Sequence, residues 1–256
     1  MTSSLFLAHG SPMLVIEEHA YTRYLKKLAD SMPRPKAIVI FTAHWESPVQ
    51  LISGAPVYET IYDFYGFPDE LYQMTYPAKG DLALAKKIAG LFADAGIPSE
   101  IDHQRGLDHG AWSVLKLLYP EADIPVIALS VNPSLSNEKQ YEIGKALASL
   151  RKEEVLIIGS GGTVHNLRRI AWDSTEAEDW AVQFDDWFRE QLSTWNLEQV
   201  FQYESLAPHA QLAVPRNEHF VPLLLAMGTA DETRQANLLH RSYQLGTLSL
   251  SAWQFA

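Results

Sequence analysis

The chain of 256 residues contains no cysteine. Disulfide bonds, thiolate metal sites, iron–sulfur clusters and cysteine nucleophiles are therefore excluded. Any metal site must instead be built from the nitrogen and oxygen ligands that histidine, aspartate and glutamate side chains offer.

Positive charge and long apolar runs are also scarce. The 20 basic residues face 31 acidic ones, and the resulting net charge of −11 argues against binding nucleic acid through a broad basic surface. No stretch approaches the roughly eighteen continuous apolar residues of a membrane span. A secretory signal also has no counterpart in the first residues, MTSSLFLAHGSP. We expect a soluble, cytoplasmic protein without a nucleic-acid or membrane partner.

Short apolar runs rich in β-branched residues alternate with stretches of helical period. This alternation predicts one α/β domain over residues 1–256, with a mostly parallel central sheet covered by helices on both faces. Gly96 stands where the second helix should end. The predicted strands are Ser4–Ala8, Ala37–Thr42, Val49–Ser53, Pro125–Ser130, Val155–Gly159 and Leu245–Trp253. The predicted helices are Tyr21–Ser31, Asp81–Ala95, Asn137–Arg151 and Glu176–Leu192.

Three histidines each lie just beyond a predicted strand: His9, His44 and His165. Because the carboxyl ends of parallel strands meet at one edge of a sheet, these imidazoles can converge there. Neutral imidazole is the commonest metal ligand in proteins. The pattern therefore predicts a metal site at the carboxyl-terminal rim of the sheet, holding either Zn(II) or Fe(II).

Two further histidines have suggestive surroundings. His109 comes just before a predicted helix, and His219 lies near a predicted helix start beside Glu218. Adjacent residues diverge by about 100° on a helix, so either His219 or Glu218 would face a metal, and Glu218 could instead compensate the helix dipole. The remaining histidines are expected to be solvated or to cap helices: His19, His103, His209 and His240.

Two other segments carry alternative interpretations. Val57–Gly80 is a long connection with seven aromatic residues, which fits either a packed excursion or the wall of a substrate pocket. Gly159, Gly161 and Gly162 match neither a phosphate-binding loop nor a serine nucleophile elbow. We expect these glycines to allow close backbone approach below the site and a tight turn that presents His165.

Together, these motifs resemble the class III extradiol ring-cleaving dioxygenases, specifically the 4,5-DOPA extradiol branch. The resemblance covers about Leu5 to Leu250. The segments that carry it are His9–Met13, Ala43–Trp45, Asp63–Ala78, Asp108–Trp112, Val164–Arg168 and Glu218–Pro222.

The resemblance implies a non-haem metal at the strand ends. His9, His44 and His219 then look like the metal ligands, with Glu218 as the alternative third ligand. His165 resembles the acid/base histidine of the family, and it could also reach zinc as a fourth ligand. Fe(II) is the cofactor expected for activity, although Zn(II) could occupy the same site.

The implied reaction is insertion of O2 into a catechol such as L-DOPA, with 4,5-cleavage to a seco-DOPA-type semialdehyde. His109 resembles a second active-site histidine that contacts the catechol or dioxygen. Arg168, Arg169 and Arg216 could pair a substrate carboxylate, but a solvated surface role is favoured for each. We expect a monomer or a small homo-oligomer.

Two other functions remain compatible with these residues. A zinc-dependent hydrolase would use the same histidines to activate a metal-bound water. A non-catalytic metal-binding relative would keep the fold without the ring-opening chemistry.

Overall fold

An eight-stranded sheet forms the centre of the protein in a computed structural model that describes residues 1–171, 174 and 176–256. The order of the strands across the sheet is β4-β3-β5-β2-β6-β1-β8-β7. The strands are β1 (Ser4–Ala8), β2 (Ala37–Glu46), β3 (Gln50–Ser53), β4 (Ser99–Asp102), β5 (Val126–Val131), β6 (Val155–Gly161), β7 (Ala236–Gln244) and β8 (Leu248–Phe255). The helices are α1 (Ala20–Leu28), α2 (Leu82–Asp94), α3 (His109–Leu118), α4 (Asn137–Ala146), α5 (Asp179–Ser193), α6 (Leu197–Phe201), α7 (Tyr203–Leu206), α8 (Ala210–Ala213) and α9 (Val221–Gly228).

The four central strands β5, β2, β6 and β1 run parallel to one another. Strand β8 pairs with β1 in the antiparallel sense, and β7 adds to it as a hairpin partner. On the other side, β3 pairs antiparallel to β5 and parallel to β4. The prediction of a mostly parallel sheet is confirmed, and the carboxyl ends of β1, β2 and β6 share one edge.

Side chains alternate between the two faces of the central strands, as the period of two in a strand requires. On β2, Ile38 and Ile40 pack in the cluster that contains the buried residues of α1 and α3. Val39 and Phe41 face the opposite way, into the cluster formed with α2, α4 and α9. Helices therefore cover both faces, as predicted. Among the described residues, no helix has the length and apolar content that a membrane span requires.

The main errors of the sequence prediction lie at the sheet edges. β4 has only one apolar residue in four, and β7 is a half-buried strand of mixed polarity, so neither produces a clear pattern. The predicted strand Leu245–Trp253 begins too early, because Leu245 and Gly246 have positive φ and form the turn between β7 and β8.

The helix predictions differ at their ends. α1 and α4 end at Leu28 and Ala146, earlier than predicted, and each is followed by a 3-10 turn. For helix α9 the sequence predicts only a start near His219, because all eight residues of the helix are buried and it shows no polar face. Gly96, with φ of +70°, follows α2 as expected.

A buried arginine ties both ends of the chain to the sheet. Arg151 donates hydrogen bonds to the backbone carbonyls of Thr2, Thr229 and Phe255, and it is 2% exposed. Replacing Arg151 with Met removes these three hydrogen bonds from a charged donor, so the free energy of unfolding should fall by about 3 kcal/mol or more. Denaturant titration measures this change. The neighbouring Lys152→Met, at an exposed position, is the control and should have little effect; equal stability of both variants would contradict this account.

Candidate metal centre

Three histidines from distant parts of the chain meet at the carboxyl-terminal edge of the sheet. His9 follows β1, His44 lies near the end of β2, and His219 lies in the turn before α9. The Nε2 atom of His44 is 3.1 Å from Nε2 of His9 and 3.2 Å from Nε2 of His219. The ligand atoms of the three residues lie within 4.8 Å of one another.

The hydrogen bonds of Ser160 determine which nitrogen of His9 carries the proton. The Ser160 hydroxyl donates to the backbone carbonyl of Gly110, so its oxygen is left to accept from Nδ1 of His9 at 3.0 Å. His9 is therefore protonated on Nδ1, and its Nε2 keeps a free lone pair. Ser160 lies inside β6, where nothing in the sequence pattern marks it as a functional residue.

Carboxylates hold the other two rings in the same tautomer. Nδ1 of His44 lies 3.1 Å from Oδ2 of Asp63, and Nδ1 of His219 lies 3.0 Å from Oε1 of Glu218. Because a carboxylate only accepts hydrogen bonds, each Nδ1 carries the proton and each Nε2 keeps its lone pair. Pairs of a carboxylate and a histidine of this kind orient the metal-binding ring in many metal sites.

This arrangement fits a divalent cation. The Nε2 lone pair of His44 faces those of His9 and His219 at about hydrogen-bond distance, where lone pairs repel each other. A cation between the three nitrogens turns this repulsion into ligation. Burial, and then the neighbouring histidines, lower the pKa of His9 and of His219 well below the usual value, which keeps both rings neutral. Asp63 and Glu218 supply two negative charges behind the rings, matching the charge of a divalent ion.

The orientation of the Glu218 and His219 side chains distinguishes the two candidates for the third ligand. Both residues lie in a turn before α9 rather than on a helix, so the expected divergence of adjacent side chains does not apply. His219 turns Nε2 towards His9 and His44, while Glu218 binds the opposite nitrogen of the same ring. The geometry favours His219 as the ligand and Glu218 as the residue that orients it.

The glycines at the end of β6 allow the turn that carries His219 to approach the sheet. A Cβ atom at Gly161 would overlap the carbonyl oxygen of His219, and one at Gly159 would overlap that of Pro222. The amide of Gly162 donates to the His219 carbonyl at 2.8 Å. The prediction that Gly159 and Gly161 permit close backbone approach below the site is confirmed.

Adding a methyl group at Gly161 should therefore push His219 out of position. We expect Gly161→Ala to weaken Co(II) binding by about tenfold or more, an effect typical of disturbing the groups that support a metal ligand. Gly162→Ala is the matched control, because the nearest atom to its new Cβ lies at an ordinary 3.5 Å. Calorimetric titration of both variants tests this, and equal affinities would contradict the proposed role of Gly161.

His109 adjoins the three histidines from a different element. It is the first residue of α3 rather than a residue ahead of the helix, and Asp108 caps that helix. Oδ1 of Asp108 accepts from the hydroxyl of Thr42 on β2, while Arg105 donates both to Oδ2 of Asp108 and to the backbone carbonyl of His44. These bonds fix the start of α3 against the end of β2, and the ring centroids of His109 and His44 lie 4.1 Å apart.

Asp63 is a site residue that sequence reasoning missed. It binds His44 through one oxygen and Nδ1 of His109 through the other, at 2.9 Å. Burial alone would raise the pKa of the Asp63 carboxyl, but hydrogen bonds from His109 and His44 outweigh burial and hold that pKa well below its usual range. Asp63 belongs to a motif of the family resemblance, but nothing in its spacing indicates this contact.

His165 lies beside the group rather than within it. Its ring stacks on the His219 ring, with centroids 3.7 Å apart and an interplanar angle of 8°. Burial, and then the neighbouring His219, lower the pKa of His165 well below the usual value. The ligand atoms that converge belong to His9, His44 and His219, so the role of His165 as a fourth ligand stays a prediction.

The long connection Val57–Gly80 packs against the core and also lines one side of the site. Tyr76 is fully buried at its base, whereas Phe64 packs edge-on against the His109 ring at 5.7 Å. Tyr65, the residue after Phe64, is 92% exposed. The side chains of Asp63 and His44 are each 23% exposed, in contrast to the buried His9, so the site opens to solvent on their side.

The other histidines lie outside the cluster. His103 and His209 are exposed and His19 and His240 are half-buried, which is broadly the expected solvated arrangement. Arg216 pairs with Glu46 and lies 3.5 Å from Glu218, so carboxylates of the protein already neutralise its charge. Arg168 and Arg169 are exposed in a 3-10 turn just after His165.

Comparison with known proteins agrees with this geometry. The family described as the catalytic LigB subunit of aromatic ring-opening dioxygenase matches residues 3–255. The chain is 42% identical to a Beta vulgaris protein named 4,5-DOPA dioxygenase extradiol, over 98% of this chain and 96% of the relative. An Escherichia coli K12 protein of the same name is 37% identical, over 98% and 93% of the two chains.

A solved structure shares the fold. The crystal structure of an uncharacterised Escherichia coli K12 protein matches with a TM-score of 0.86 and 34% identity, over 100% of both chains. The resemblance predicted from the motifs is confirmed over nearly the whole sequence. The chain therefore belongs to the LigB family of aromatic ring-opening dioxygenases, and it is an oxidoreductase of the extradiol dioxygenase type.

Proposed function

We propose that this protein, acting through residues 1–256 as one catalytic domain, cleaves an L-DOPA-like catechol at the 4,5 bond. The product is a seco-DOPA-type semialdehyde that contains both atoms of O2. The observation that carries the proposal is the convergence of three Nε2 lone pairs, from His9, His44 and His219, on one point beside His109 and His165. Relatives named 4,5-DOPA dioxygenase extradiol, aligned over nearly the whole chain, support the choice of substrate.

Fe(II) is the proposed cofactor, held by His9, His44 and His219. When bound, it supplies the redox chemistry that lets a catechol react with O2, which amino-acid side chains cannot provide. The protein contributes a neutral nitrogen ligand set, the carboxylates that orient it, and a partly exposed side through which substrate enters. Zn(II) fits the same nitrogens but does not supply this redox chemistry.

The proposal assigns proton transfer and substrate contact to two histidines. We propose that His165, stacked on His219, accepts a proton from a catechol hydroxyl and later returns one to an oxygen of the opening ring. His109 has its Nδ1–H fixed on Asp63, so its Nε2 is left as an acceptor towards the substrate. Both rings lie beside the three proposed ligands rather than among them.

The alternative functions have less support. A zinc hydrolase would use the same ligands, but family membership favours ring opening with O2 over hydrolysis. A binding protein without chemistry would not need His109 and His165, and this chain has both beside the ligands.

Product analysis tests the substrate and the position of cleavage. Iron-loaded protein is incubated with L-DOPA under isotopically labelled oxygen, and the product is examined by mass spectrometry and NMR. The proposal predicts one labelled oxygen in the new carboxylate and an aldehyde at the position that 4,5-cleavage creates; the label on the aldehyde oxygen is lost to water by exchange. An aldehyde at the position created by 2,3-cleavage would contradict the proposed regiochemistry, and turnover without oxygen would favour the hydrolase.

A further inference from the structure

One carboxylate serves two histidines of the site. Oδ2 of Asp63 lies 3.1 Å from Nδ1 of His44. Oδ1 lies 2.9 Å from Nδ1 of His109 and 2.9 Å from the backbone nitrogen of the same residue. Asp63 therefore accepts three hydrogen bonds, which join a proposed metal ligand to a histidine on the substrate side.

We propose that Asp63 is a positioning residue that sets the tautomers of His44 and His109 together, so that both rings turn an unprotonated Nε2 inward. This inference rests on the proposed function, in which His44 binds the metal and His109 faces the substrate. The group His44, Asp63 and His109 could also be considered a second cation site. However, each Nδ1 already lies at hydrogen-bond distance from a carboxylate oxygen, which favours orientation over ligation.

Hydrogen bonds and aromatic packing on both sides of Asp63 hold its backbone in position to orient the two rings. The Ile61 amide donates to the carbonyl of Leu107, and the indole of Trp112 donates to the carbonyl of Ile61 at 3.1 Å. On the other side, Phe64 packs against His109 and Trp112. Asp63 thus lies on a surface loop but is held from both sides against α3.

Both terminal atoms of residue 63 must be acceptors if it is to bind the Nδ1–H groups of His44 and His109 together. An asparagine at position 63 has the same shape, but one of its two terminal groups is an NH2 donor. The backbone amide of His109 is a fixed donor, so the amide oxygen of Asn must take the Oδ1 position. The NH2 group then faces Nδ1 of His44, and a hydrogen bond forms only if the His44 proton moves to Nε2, where it blocks the metal.

The test compares two substitutions with different consequences. Asp63→Asn imposes the wrong tautomer on His44, whereas Asp63→Ala only releases the ring and admits water. We expect Co(II) affinity to fall about 10–100-fold in Asp63→Asn, the usual range for residues that orient a ligand, and to fall less in Asp63→Ala. A role in loop packing alone predicts the reverse order, because Ala removes more contacts than Asn.

Two readouts that do not depend on ring cleavage make the test decisive. Calorimetric titration with Co(II) gives the affinities, and NMR of the metal-free protein with 15N-labelled histidine reports which His44 nitrogen carries the proton. Asp69→Asn, an exposed acid on the same connection, is the control for charge and should bind as the unmodified protein does. Unchanged Co(II) affinity in Asp63→Asn, or weaker binding in Asp63→Ala than in Asp63→Asn, overturns the proposal. Failure of the unmodified protein to cleave catechols would instead contradict the proposed function.

Discussion

His9→Ala should lower metal affinity by more than about 10²-fold and remove ring-opening activity, because loss of a ligand costs more than loss of a group that orients one. His9 is fully buried at the end of β1, and its Nε2 faces that of His44 at 3.1 Å. The two remaining ligand nitrogens, Nε2 of His44 and of His219, are too few to hold the ion tightly. Metal content after dialysis, together with calorimetric titration, measures the effect.

The control for this substitution is His103→Ala, which removes an exposed histidine outside the cluster. That variant should keep both metal content and activity. Circular dichroism checks that His9→Ala is folded. If folded His9→Ala retained stoichiometric metal, His9 would not be a ligand, and the site would have to lie elsewhere.

His165→Phe should lower turnover by roughly 10²-fold or more while metal content remains normal. Phenylalanine keeps a flat ring that can stack on His219, as the imidazole does at 3.7 Å, but it has no nitrogen to exchange protons. The substitution therefore separates acid/base chemistry from packing. Steady-state oxygen uptake at saturating catechol gives the turnover number.

Metal binding in the same variant decides between the two roles predicted for His165. Unchanged Co(II) affinity with a large loss of turnover fits a proton-transfer residue, whereas a large loss of affinity fits a fourth ligand. His209→Ala removes an exposed histidine and should leave both quantities unchanged. Near-normal turnover in His165→Phe would remove His165 from the mechanism.

Strand patterns allow most of the proposed ligand set to be predicted from sequence. β1, β2 and β6 are buried on both faces, so their continuous apolar runs are easy to recognise, and parallel pairing brings their ends to one edge. The positions of His9 and His44 at this edge follow directly from that geometry. His219 is harder, because it comes from a turn before a helix and reaches the edge only through the close approach at Gly161.

The residues that contact these three histidines, and are proposed to orient them, could not be predicted in the same way. Asp63 comes from a long connection whose path depends on tertiary packing of Phe64 and on the anchored Ile61. Ser160 is an ordinary strand residue until its hydroxyl is seen between Gly110 and His9. Such contacts depend on side-chain positions within a few tenths of an ångström, and local sequence periodicity carries no information about them.

The most direct test of the account is anaerobic reconstitution of the purified protein with Fe(II), followed by L-DOPA and then air. The proposed function predicts a yellow ring-opened product, formed with one molecule of oxygen consumed per molecule of product, and no product from the His9→Ala variant. Absence of product with L-DOPA and with simple catechols, while Fe(II) is shown to be bound, would contradict it.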